Sequence, residues 1–138
     1  MVEVVVVTVI IGIMAVVAVP RYTSVITRQR AEAAAKRIEA DLAYAQRQAR
    51  LLSNPIQVEF DISNDCYQSG DFPDSDYLDE DFKVVLSQEP YRAAIISANF
   101  GGLTDITFNG YGLPDNGGTV VIQVGTYQKT ITVDAGGG

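Results

Sequence analysis

From Val4 to Val19 the chain reads VVVVTVIIGIMAVVAV, sixteen residues with no charge and Thr8 as the one side chain bearing a polar atom that can hydrogen-bond. As a helix this run is apolar on every side and about 24 Å long at ~1.5 Å per residue. That is slightly short of a hydrocarbon core of about 30 Å unless Met1 and Val2 join it. From Arg21 to Leu52 the pattern changes. Ala, Arg, Gln, Glu and Leu, all strong helix formers, predominate, and Ala31, Ala35, Ile38, Leu42, Ala45, Ala49 and Leu52 recur at alternating spacings of four and three. That spacing puts one apolar stripe on one helix face. The stripe is rich in alanine and short for a coiled-coil seam, so it is expected to pack on a sheet of the same chain. Asn54-Pro55 predicts the helix end, since proline lacks the amide and restricts the residue before it.

Beyond Pro55 the period becomes two. Ile56–Phe60 alternates strictly, and Phe82–Leu86, Ala94–Phe100, Thr104–Phe108, Thr119–Val124 and Tyr127–Val133 are rich in β-branched and aromatic residues, which predicts six strands. Gly101-Gly102, Asn109-Gly110, Asp115 to Gly118 and Gly125 supply turns, and the last two strands read as a hairpin closed around Gly125-Thr126. The fold expected is α+β: a long N-terminal α-helix packed on a small antiparallel β-sheet head. Three segments follow: 1–22, apolar; 23–54, the amphipathic half of the same helix; and 55–138, a β-rich head with an acidic loop at about 61–81.

Charge divides along the same boundary. Residues 1–54 hold seven Lys or Arg against four Asp or Glu, and residues 55–138 hold three against thirteen. An acidic head lacks the clustered cations that phosphate contacts need, so no nucleic acid is expected as a partner. Cys66 stands alone and the chain has no His, which excludes an internal disulfide and the common zinc sites. No nucleophile, base and pocket come together in the sequence, and no enzyme activity is expected. Asp71, Asp74, Asp76 and Asp79 could offer oxygens to Ca²⁺, but the order of ligands in an EF-hand and its central glycine are missing, so a solvated loop is the expectation and no cofactor is required. Tyr67, Phe72 and Tyr77 could pin that loop to the sheet or to a neighbouring subunit.

Glu3 is the one acid beside the apolar run, and a carboxylate there needs a partner, since burial at mid-bilayer costs about 2.5–3.5 kcal/mol. Gly12 and Pro20 are helix breakers of about 1 and 3 kcal/mol relative to Ala. Taken together, Glu3, the apolar run, Ile11-Gly12-Ile13, Ala15, Ala18 and Val19-Pro20-Arg21-Tyr22 closely resemble the N-terminal segment of type IV pilins and of type II secretion pseudopilins. Ile106 to Pro114, Gly117 to Ile122 and Thr130 to Asp134 are similar to the β region of the GspH/FimT branch. The resemblance implies that a prepilin peptidase removes a short basic leader, that the new N-terminal amine is methylated, and that the assembly machinery draws subunits from the inner membrane into a filament. Carried onto this chain, it makes Glu3 the partner of a neighbouring N-terminal amine and makes Gly12 and Pro20 the bounds of a weak helical stretch. It places Val4, Val5, Val6, Val7, Ile10, Ile11, Ile13, Met14, Val16 and Val17 in the filament core. The family glutamate stands fifth after the cleavage site and here it is third, so either two residues precede Met1, which is the expectation, or the amine contact has a different reach.

The leading expectation is therefore a structural subunit that self-assembles into an extracellular type IV pilus-like helical filament, of the kind used in adhesion or motility, with copies of itself as partners. The alternative is a minor pseudopilin of a type II secretion or DNA-uptake system, and a third reading is a membrane-anchored monomer that binds Ca²⁺ or a glycan. The small residues Ala31, Ala33, Ala34 and Ala35 are expected to favour close helix packing between copies.

Overall fold

The computed structural model describes residues 2–74 and 79–134, with side chains from residue 25 onward except residue 73. One helix, α1 (Val2–Leu52), is followed by β1 (Ile56–Asp61), β2 (Cys66–Pro73), β3 (Asp81–Val85), β4 (Ala94–Phe100), β5 (Asp105–Phe108), β6 (Gly118–Val124) and β7 (Tyr127–Val133). The helix stops where the sequence predicts: Ser53 takes φ 50°, the left-handed turn common just past a helix end, and Pro55 prevents resumption.

All strand pairs are antiparallel, but they form two sheets, ordered β3-β2-β1-β5 and β4-β6-β7. The single sheet expected is thus corrected to two. The chain changes sheet three times, between β3 and β4, β4 and β5, and β5 and β6; at the second change Gly101 at φ 66° and Gly102 at φ 94° turn the chain tightly enough for Phe100 and Leu103 to bridge. The hairpin of β6 and β7 closes as predicted, with Val124 opposite Tyr127 and Gly125 at φ 59°.

The second correction concerns the segment read as an acidic loop over 61–81. Its centre is β2, paired to both β1 and β3. Tyr67 and Ser69 point inward between exposed Gln68 and Gly70, and a register irregularity before Pro73 brings Phe72 inward as well. Asp71 and the flanking Asp81 stay outside. Tyr67 and Phe72 do pin this segment, as expected, while Tyr77 lies outside the described residues.

Helix α1 lies across both sheets, against β1, β5, β6 and β7. Ala31, Ala34, Ala35, Ile38, Leu42, Ala45 and Ala49 form its buried face. Alanine lets the strands approach the helix axis, and the large side chains come from the sheets. Phe100, Phe60, Tyr67, Phe82 and Phe72 follow one another in space as tilted rings, with neighbouring centroids 4.8–6.2 Å apart, and Tyr44 meets Phe72 edge to face at 5.3 Å. Such contacts add about 0.5–1.5 kcal/mol each beyond simple burial. Leu52, expected on the buried stripe, is exposed, because the helix has already passed the end of the strands that cover it.

Candidate assembly surface

Along α1 the head begins at Thr27, where the β6–β7 turn abuts the helix; a Cβ on Gly125 would sit 3.3 Å from Thr27 Cγ2. The helix nevertheless starts at Val2. Residues 2–26 therefore continue it for roughly 37 Å at ~1.5 Å per residue beyond the head. The backbone is helical through positions 12 and 20. The side chains of Glu3 and of the core positions from Val4 to Val17 lie outside the described residues, as does the side-chain environment of Gly12 and Pro20. Among the described residues no helix is long and apolar enough to cross a membrane.

Within the head, one clasp fixes the helix to the first sheet. Tyr67 on β2 is fully buried and its hydroxyl donates to Asp41 Oδ2 at 2.5 Å, while Arg37 Nε donates to the same oxygen at 2.8 Å. Burial, and then the adjacent carboxylate, push the Tyr67 phenol well above its ordinary range. The hydrogen bond to Asp41 holds the Arg37 guanidinium charged. An Arg, a carboxylate and a Tyr that satisfy one another form a structural contact.

The opposite face of α1 carries Gln29, Ala33, Lys36, Ala40, Ala43, Arg47 and Leu51, all exposed and spaced three or four apart. This ridge is flanked by Glu32 and Glu39. It also corrects the expectation about small residues: Ala31, Ala34 and Ala35 are consumed by the chain's own core, and of that set only Ala33 faces outward.

Past the far end of α1, residues 109–114 form a rigid loop. Asn109 Oδ1 accepts from the amides of Tyr111 at 3.0 Å and Leu113 at 3.1 Å, and the Gly112 amide donates to the Asn109 carbonyl at 2.8 Å. Two helix side chains hold the loop down: Gln46 Nε2 donates to the Gly112 carbonyl at 2.7 Å and Arg50 Nε to the Tyr111 carbonyl at 3.1 Å. Gly112 has φ 79°, which disfavours any other residue there. The loop leaves Tyr111 82% exposed, with Leu51 at 76% and Leu52 at 52% exposed near the helix end. In the sequence Asn109-Gly110 reads as a turn and Tyr111 does not stand out. The available signal was an aromatic residue between two glycines.

Of the Ca²⁺ candidates, Asp71 accepts from the Gln57 amide at 2.7 Å, the Asp74 amide donates to the Glu80 carbonyl, and Asp76 lies outside the described residues. Among the described residues no three acidic or sulfur side chains converge to hold a metal. Cys66 is buried, and burial pushes its thiol upward, away from reactivity.

A long N-terminal helix whose second half is the spine of a small antiparallel β head defines a pilin-like subunit. Comparison with known families makes this specific: the chain belongs to the GspH family, described as type II transport protein GspH, whose sequence model matches residues 34–137. The match covers the head and the half of α1 packed on it. No curated protein and no solved structure matches the chain.

Proposed function

We propose that this chain is a pseudopilin subunit of a type II secretion system, whose N-terminal helix half assembles with those of neighbouring subunits into a helical filament. The observation that carries the reading is the single helix from Val2 to Leu52, which meets the head at Thr27 and whose backbone continues unbroken to residue 2. A 51-residue helix is about 76 Å long at ~1.5 Å per residue, more than twice what a bilayer of about 30 Å needs. Bundling the apolar halves would bury them at about 25 cal/mol per Å² of apolar surface. The role is structural rather than enzymatic. Before assembly the subunit would sit in the inner membrane, after a prepilin peptidase had removed a leader and its amine had been methylated. Glu3 would then neutralise the amine of a neighbour, and Gly12 and Pro20 would bound the stretch that yields during extraction.

Electron microscopy of the full-length chain, produced with its secretion machinery and labelled on the head, tests this. Short periplasmic fibres containing the chain support the pseudopilin, long extracellular fibres built from it alone support the type IV pilus reading, and a chain that stays monomeric in the membrane overturns both. Glu3→Ala is expected to abolish incorporation; unchanged fibre yield would remove the amine pairing from the proposal.

A further inference from the structure

Each of the two sheets has two outer strands, and three of these four edges are blunted. β5 is covered by Asp115, whose amide donates to the Thr107 carbonyl at 2.8 Å and whose Oδ1 accepts from the Thr107 amide at 3.1 Å. β4 breaks register between Ile95 and Ser97, and its Ile95 and Phe100 amides donate to Asp65 Oδ1 at 2.9 Å and to the Leu103 carbonyl at 2.8 Å. β3 is five residues long and carries the charged Asp81 and Lys83. Covering loops, irregular register, short length and charge are the means by which proteins keep a sheet edge from pairing. β7 is different. It pairs with β6 in unbroken register over seven residues, from Gly118 opposite Val133 to Val124 opposite Tyr127, with Lys129 as its one charge.

The phase of that hairpin says which groups are left over. A two-residue connection makes Val124 and Tyr127 a hydrogen-bonded pair, and in an antiparallel ladder such pairs alternate with non-bonded ones. Tyr127, Lys129, Ile131 and Val133 therefore spend their amides and carbonyls on β6, while Gln128, Thr130 and Thr132 turn theirs to the free edge. No described residue meets those amides. Beside the far half of this edge lies a groove of about 220 Å³, between Leu42 and Ala43 of α1, Phe108 and Ile131, with Thr132 along it. Its lining holds two acids, Glu39 and Asp134, both exposed, and among the described residues no Lys or Arg.

We propose that the free edge of β7 binds an extended segment of another protein as an added antiparallel strand, one in which apolar residues alternate with polar ones that include Lys or Arg. The proposal does not rest on the filament reading. Three observations select this occupant. Backbone donors and acceptors facing one side of a strand recur at about 6.6 Å, every second residue at ~3.3 Å each, and another extended backbone matches that spacing. The groove is smaller than the about 300–1,000 Å³ usual for a small-molecule site, and its apolar walls suit a side chain projecting from such a strand. Charge then decides against a second head: residues 55–138 hold thirteen Asp or Glu against three Lys or Arg, so two heads repel, and the acids of the groove attract a basic segment.

The test uses the full-length chain in dodecyl maltoside micelles and two acetylated, amidated peptides, TVKLKVT and TVELEVT, with amide hydrogen exchange and peptide fluorescence anisotropy as readouts. Saturating TVKLKVT should slow exchange at the Thr130 and Thr132 amides by roughly tenfold or more and leave Lys129 and Ile131, already bonded to β6, unchanged. TVELEVT should bind about tenfold more weakly. Thr132→Pro removes an edge donor at a position where proline is tolerated, and should weaken TVKLKVT about tenfold. Glu39→Lys combined with Asp134→Lys changes two exposed side chains, keeps the fold, and should reverse the preference between the peptides. No slowing at Thr130 and Thr132, or an affinity for TVKLKVT unchanged in both variants, overturns the proposal. Slowing at the same amides in the chain alone, growing with its concentration, assigns the edge to a second copy and overturns it as well.

Discussion

The two halves of α1 are equally helical and put their apolar residues to opposite uses. In the C-terminal half, the apolar positions form a narrow stripe of mostly alanine, and one partner, the chain's own pair of sheets, covers it. The N-terminal half is rich in Val and Ile on all sides, so no single partner can cover it. A helix apolar all round needs a bilayer or a bundle. The contrast teaches that burial demand is set by how far apolar residues extend around the helix, and that one element can meet this demand within its own chain at one end and leave it to other partners at the other.

The sharpest way to break this contrast is to truncate one residue in each half. Ile38→Ala should cost about 2–5 kcal/mol of head stability in chemical denaturation, the range for emptying a packed core site. Ile10→Ala should leave head unfolding unchanged and lower fibre yield. Equal effects on head unfolding would mean that the halves are not energetically separate. Next in size, Ala45→Leu should destabilise by about 1–3 kcal/mol through overpacking against the sheets, whereas Ala40→Leu on the outward ridge should leave head unfolding within about 0.5 kcal/mol of wild type.

A smaller effect sharpens the attachment of helix to sheet. Tyr67→Phe removes one donor from Asp41 and should cost about 1–2 kcal/mol. It should also change the response to pH. The folded protein holds the Tyr67 phenol protonated to higher pH than the unfolded chain does. Its contribution to stability is therefore complete below the ordinary tyrosine value of about 10 and declines as pH rises past it. Denaturation midpoints of wild type should fall above about pH 10 more steeply than those of Tyr67→Phe. Smallest of all, Arg28→Ala removes an exposed, solvent-screened pair with Glu32 and should leave the denaturation midpoint indistinguishable from wild type.

Much of this architecture was legible because periodicity is a local signal. The stripe on α1, the stop at Asn54-Pro55, the alternation of β1 and the hairpin around Gly125 all depend on residues close in sequence. β2 was hidden because its inward Tyr67, Ser69 and Phe72 are interrupted by Gly70 and Asp71, which makes the composition read as a loop. The division into two sheets was hidden for a different reason: it depends on which strand pairs with which, and β4 and β5 are neighbours in sequence that part in space. At the candidate site, Glu3 stands out as a lone acid, whereas Tyr111 gains significance only when Gln46 and Arg50, more than sixty residues earlier, hold its loop outward.

The continuity of α1 from residue 2 into the clasp of Arg37, Asp41 and Tyr67 also has a mechanical meaning. No loop separates residues 21–26 from the head, so any slack would be confined to the stretch between Gly12 and Pro20. Rotation or thrust that reaches Arg21 would be delivered to the β head as through a shaft, and the clasp is the key that prevents the head from slipping on it.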